Sequence, residues 1–106
     1  MNGQGRDILI GIDAGTSVIK SVAFHLDGTQ IAVASLPNRY TSRADGAAFQ
    51  SQDDTWADCA QTLRDLADKV PDLAARTAAL AVTGQGDGTW LVGKDNRPVT
   101  DGWLWL

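Results

Sequence analysis

The sequence predicts an α/β fold, a mixed sheet built in the order β-β-β-α-β-β with its first three strands antiparallel. Apolar residues occupy both faces of two early segments, Asp7 to Asp13 and Ser17 to His25, as in strands covered on both sides. The apolar period then changes to three and four over Trp56, Cys59, Ala60, Leu63, Leu66, Ala67 and Val70, which is one stripe of a helix. Strand-like patterning returns at Ala78 to Thr83, so the helix brings the chain back to the sheet.

The first two strands are joined by the tight "DAGT" turn, and "LDG" at 26 to 28 leads into a third strand at about Thr29 to Leu36. Short connections make these strands an antiparallel meander. From Pro37 to Gln52 the pattern dissolves into "PNRYTSRADGAAFQSQ", a loop slightly longer than most connections. Asp53 or Asp54 is placed to cap the helix and Pro71 to stop it. Beyond the fourth strand come the glycine-rich "GQGDG", a strand at Thr89 to Val92, the turn "KDNR", and a last strand from Pro98 to Trp105. The chain stops on "WLWL"; an unprotected apolar edge strand is an aggregation hazard, so a truncated chain is expected.

A chain of 106 residues, 43% apolar and 21% charged, is ordinary for one globular domain. Residues 1–6, "MNGQGR", read as a disordered lead-in. The net charge of −4 and the scattered basic residues give no electrostatic footprint for nucleic acid. The acidic residues are all aspartate, which suits turns and caps and points to no function. Cys59 is the only cysteine, so no disulfide closes within the chain, a cytoplasmic location is expected, and Cys59 reads as core filler. The apolar run Ile8 to Ile12 is too short for a signal peptide, and no segment approaches a membrane span. Homo-oligomerisation stays open.

The stretch "GIDAGTSVIKSVAF" interrupts two buried strands with an acid, a glycine and two hydroxyls. A hairpin turning there gathers backbone N–H groups and hydroxyls on one spot, and such a concavity suits phosphate oxygens. Asp13 beside it repels phosphate unless a cation stands between them, and Mg²⁺ bridging carboxylate and phosphate answers that need. Lys20 shares a strand face with Val18 and Val22, within reach of the same region. The plain alternative is a turn that contains Asp and Gly because turns favour them. A P-loop is excluded, since its spacing is absent and no helix follows.

In "GQGDG", glycines at 84, 86 and 88 let a small ligand approach the backbone, and Asp87 can accept from two hydroxyls. The alternative is an exposed glycine-rich turn; a dinucleotide fingerprint fails on spacing. Trp56 and Trp90 read as core, Trp103 and Trp105 as core or ligand wall, and His25, at a strand end, as structural or solvent-facing.

The stretch "IGIDAGTSVIKSVAFHLDGTQIA", with "QDDTW" and "AVTGQGDGTWLVGKDNRPVTDGWLW" in order after it, resembles the FGGY family of carbohydrate kinases within the sugar kinase, Hsp70 and actin superfamily. The resemblance implies the ribonuclease H-like, actin-like ATPase fold, with residues 7–106 the first part of a truncated, incomplete N-terminal domain. It implies ATP- and Mg²⁺-dependent phosphorylation of a hydroxyl on a small sugar or polyol by the full-length parent, the fragment itself being inactive. By the same resemblance Asp13 sits near Mg²⁺, Gly15, Thr16, Ser17 and Lys20 face the nucleotide phosphates, and Gln85, Gly86, Asp87 and Trp105 contact the sugar. The catalytic base and adenine site are expected beyond Leu106. Gly86 stands where glycerol kinases carry a larger side chain, and the wording "QGDGTW" is nearest the erythritol and xylulose kinase branches. The rival readings are an acetate kinase-like or N-acetylhexosamine kinase-like enzyme and a non-catalytic nucleotide-binding module of the actin and Hsp70 type.

Overall fold

The computed structural model describes residues 5–105, so residues 1–4 of the lead-in expected over residues 1–6 lie outside the described residues, as does Leu106. The meander is β1 (Ile8–Ala14), β2 (Val18–His25) and β3 (Gln30–Pro37). After it come β4 (Thr41–Ser42), β5 (Ala48–Gln50), α1 (Gln52–Lys69), α2 (Leu73–Arg76), β6 (Thr77–Gly84) and β7 (Gly102–Trp103). The main sheet has the order β3-β2-β1-β6, with β6 parallel to β1 and the other pairs antiparallel. The mixed sheet and its antiparallel opening stand as the sequence predicts.

Alternation along β1 sends Ile8, Ile10 and Ile12 toward α1, where they join Ala23, Ala34, Leu66, Val70 and Leu73 in one core. Two hydroxyls are buried between sheet and helix. Thr62 Oγ1 donates to the Cys59 carbonyl at 2.8 Å, which leaves the Ser21 hydroxyl to donate to Thr62 Oγ1 at 2.7 Å. Both polar groups are thereby satisfied in the interior.

The cap of α1 is Ser51 rather than Asp53 or Asp54: its Oγ accepts from the Asp54 N–H at 3.1 Å. Both aspartates fall in the first turn, where the helix dipole favours them. At the other end Val70 leaves the helical region just before Pro71, whose ring disfavours a helical residue ahead of it. Arg76 closes a bidentate pair with Asp7, and Arg6 donates to the Thr77 carbonyl at 2.9 Å, fastening the start of β1 beside the start of β6.

The long loop holds more order than its sequence suggests. Within it β4 and β5 pair, and β5 takes β7 on its other side to make a second sheet, ordered β4-β5-β7. Phe49 and Trp103 meet edge to face at 4.6 Å, and the Arg43 guanidinium lies 4.8 Å over the Phe49 ring. The strands expected at Thr89 to Val92 and Pro98 to Trp105 shrink to single bridges, Thr89 with Trp103 and Val92 with Pro98, plus the short β7. The Trp90 ring lodges between Gly88 and Gly102, and a Cβ on either glycine would come within 2.5 Å of the indole. That packing, rather than ligand approach, is what demands glycine at 88.

Trp56, expected in the core, is 78% exposed. Its end of α1 overhangs the edge strand β6, where Ile12, Cys59, Ala60, Leu63, Leu80 and Val82 surround an apolar cavity of about 250 Å³ with no layer above it. Leu80 and Val82 belong to the α1 side of the sheet by register with Ile10 and Ile12, yet both are exposed. Among the described residues no helix is long and apolar enough to cross a membrane.

Candidate functional site

The sequence puts an aspartate at the carboxyl end of β1, and the sheet gives it defined neighbours. Asp13 faces Lys20 on β2 and Thr83 on β6, and Lys20 in turn faces Ser35 on β3. Residues in register share a sheet face, so Ser35, Lys20, Asp13 and Thr83 form a polar row across all the strands, on the face opposite α1. Below the row Gly11, Val22, Phe24 and Ala81 floor a shallow depression of about 290 Å³ that Asp13 and Thr83 border. The face that the spacing assigned to Lys20 is therefore the one it occupies, and that face is open.

The turn after Asp13 is tight enough to demand its glycine. A Cβ on Gly15 would stand 3.0 Å from the Val18 carbonyl oxygen and 3.3 Å from Asp13 Oδ1, so the carboxylate lies against the bare backbone of the turn. Ser17 is exposed and Thr16 half-buried. Among the described residues no group of three or more His, Cys, Asp or Glu side chains converges at Asp13. One carboxylate with phosphate oxygens and water completing the shell is how Mg²⁺ is commonly held. The residues present fit that ion: an exposed carboxylate, a facing lysine, and a cradle that a single Cβ would fill.

Gln85 sits just past the carboxyl end of β6, with Gly84 in register with Ala14. Ala14, Gln50, Thr55, Gly84, Gln85 and Trp90 line a second cavity of about 210 Å³ there. The two cavities lie on opposite faces but at the same end of the parallel pair β1 and β6, the end where ligands of open α/β sheets bind. Gln85 Nε2 donates to Gln50 Oε1 at 2.9 Å, while Gln85 Oε1 is buried without a partner among the described residues.

Gly86 and Asp87 continue into solvent, and a Cβ on Gly86 would meet nothing within 4 Å, so the protein itself does not demand glycine there. Trp105 lies past β7 and is 58% exposed; no hydrogen bond or ring contact joins it to Gln85 or Asp87 among the described residues. Burial, with Asp58 adding to it, pushes the Cys59 thiol up, which keeps it protonated and fits its reading as filler.

Asn38 and Gln50, both inside the long loop, are residues that sequence reasoning missed. Asn38 clamps the turn twice: its N–H donates to the Ser17 carbonyl at 2.9 Å and its Nδ2 to the Gly15 carbonyl. Gln50, 2% exposed, donates through Nε2 to Asn38 Oδ1. Arg39 holds the segment in place through a bidentate pair with Asp58 at 2.9 Å. The length of the loop was the available signal, since loops of that kind often carry function.

The sheet has the actin-like ATPase fold, with polar groups gathered at the carboxyl ends of its central strands. The xylulose kinase from Rhodospirillum rubrum superposes with a TM-score of 0.83 at 24% identity, over 92% of this chain and 20% of that one. The chain belongs to the FGGY family of carbohydrate kinases, whose N-terminal domain matches residues 8–106. It is 65% identical over 100 residues to the erythritol kinase of Brucella abortus, and 30% identical over 90 residues to a probable L-xylulose kinase of Haemophilus influenzae. These alignments cover 94% and 85% of this chain but 19% of each relative's length.

Proposed function

We propose that this chain is the opening part of a longer carbohydrate kinase that transfers the terminal phosphoryl group of ATP to a hydroxyl of a small polyol, with erythritol the first candidate. The assignment of erythritol rests on the 65% identity to a protein of that name. Asp13 would hold Mg²⁺, which when bound would supply positive charge against the phosphates. Gly15 leaves room for the phosphates, Thr16 and Ser17 offer hydroxyls and backbone N–H groups, and Lys20 supplies positive charge. Gln85, Gly86, Asp87 and Trp105 hold the polyol: Asp87 accepts from hydroxyls, Gly86 admits the ligand to the backbone, and Trp105 offers an apolar wall. The work is cytoplasmic, a reading supported by the lone half-buried cysteine.

The observation that carries this reading is the unpartnered oxygen of Gln85. A buried acceptor without a donor is unfavourable by about 1–3 kcal/mol, and a ligand hydroxyl entering the cavity beside it relieves that penalty. Calorimetric titration of the full-length protein with erythritol and with L-xylulose is the test. Binding of one of them, lost in Gln85→Leu, is the expected result; binding of neither contradicts the proposal.

A further inference from the structure

The amide groups of Gln85, Gln50 and Asn38 and the carbonyl of Gly15 form a continuous relay from the cavity beside β6 to the turn after Asp13. Each side-chain amide has one end that donates and one that accepts, so the relay has a direction. The direction is set at the turn. A backbone carbonyl only accepts, so Asn38 must present its NH₂ to Gly15, which turns Oδ1 toward Gln50. Gln50 must then present its NH₂ to Asn38, which turns its Oε1 toward Gln85. Gln85 must in turn donate to Gln50, and its own Oε1 is left buried and without a donor among the described residues.

From this we infer that Asn38 and Gln50 are positioning residues: they fix Gln85 as a hydrogen-bond acceptor toward the ligand, so the site selects a hydroxyl, and they tie the ligand cavity to the phosphate-facing turn. The inference rests on the proposed polyol site for what occupies the cavity; the relay itself does not. Gln50 is held for the role by its burial at the end of β5, directly after Ala48 and Phe49. Asn38 is held by its N–H to Ser17 and by the neighbouring Arg39 pair with Asp58. Flipping any one amide would place two donors or two acceptors face to face, so the relay resists reversal as a unit.

Gln50→Glu and Asn38→Asp keep side-chain shape while replacing the donating NH₂ by an oxygen. In the full-length protein assayed with erythritol and Mg²⁺-ATP, each variant should lose about 10²-fold in kcat/KM at about pH 8, as expected for a misplaced binding group. The ratio to wild type should recover as pH falls toward about 5, because a carboxyl facing a carbonyl is favoured in its protonated, donating form. A purely structural role moves the melting temperature but gives no such recovery. Wild-type kcat/KM in both variants, or a loss that does not change with pH, overturns the inference.

A second measurement needs no turnover. With ¹⁵N-asparagine labelling, the Asn38 side-chain amide signal, assigned by its loss in Asn38→Asp, should shift in Gln85→Met although Gln85 does not touch Asn38. An unmoved signal overturns the relay. A shifted signal in a protein that phosphorylates and binds no polyol upholds the relay and overturns the reading of the cavity.

Discussion

Asp13 and Lys20 stand directly opposite each other on adjacent antiparallel strands, on the face of the sheet that α1 does not cover. Opposite charges placed across a strand pair commonly stabilise the sheet. Here no ion pair joins them among the described residues, so both heads stay available to a charged ligand. If Asp13 holds Mg²⁺, Asp13→Asn in the full-length protein should lower kcat by about 10²–10³-fold, the loss seen when one preorganised electrostatic group is removed. Polyol affinity, measured by titration without nucleotide, should stay unchanged. A proportional loss of polyol affinity would show that Asp13 belongs to the sugar site instead.

Three glycines separate turn geometry, ligand space and packing. In Gly15→Ala the new methyl meets the Val18 carbonyl and the Asp13 carboxylate, so kcat should fall by about 10²-fold through displacement of that carboxylate. In Gly86→Ala the methyl meets no protein atom, so the melting temperature should hold while the polyol KM rises. In Gly88→Ala the methyl strikes the Trp90 ring, so stability should fall by about 1–3 kcal/mol, as for overpacked sites. Steady-state kinetics and thermal melting on the same variants give all of these readouts.

The hydroxyl pair of Ser21 and Thr62 makes a prediction about the core. Thr62→Val strands the Ser21 hydroxyl in the interior and should destabilise the protein by about 1–3 kcal/mol. The double variant Ser21→Ala with Thr62→Val removes both partners and should be less destabilised than Thr62→Val alone. Urea midpoints of the full-length variants decide it.

Acid should loosen the junction between the starts of β1 and β6. The hydrogen bond from Arg76, with its charge adding to it, holds the Asp7 carboxyl below its ordinary value. A carboxyl depressed in the folded state contributes stability that is present above its unfolded value and is lost as pH falls through the folded one. Melting temperature should therefore drop at acid pH below the ordinary carboxylate range, and Asp7→Asn should lower it at neutral pH while flattening part of that drop. Salt should shrink the difference, since the pair is exposed.

What was legible in the sequence was what period and local chemistry control. Apolar residues on both faces marked β1 and β2, the three-and-four stripe marked α1, and Asp, Gly and the hydroxyls marked the turn at 13–17. Trp56 misled because a stripe shows which face of a helix is apolar without showing whether a layer covers it at that point. Asn38 and Gln50 were invisible for a different reason: an amide in a polar loop looks solvated, and only the fold brings residues 15, 38, 50 and 85 into one line. Gly88 looked like ligand space and is packing space, which needed the position of Trp90 to see.

The central claim is that the Gln85 to Asp87 segment holds the hydroxyl compound that receives the phosphoryl group. It is tested most directly by supplying the full-length protein with Mg²⁺ and ATP labelled in its terminal phosphate, and offering erythritol beside other polyols and ketoses, wild type against Asp87→Ala. The account predicts transfer of label to a polyol, and in Asp87→Ala a rise of about 10²-fold or more in polyol KM with the KM for ATP unchanged. Transfer to none of the compounds, or undiminished polyol turnover in Asp87→Ala, would contradict it.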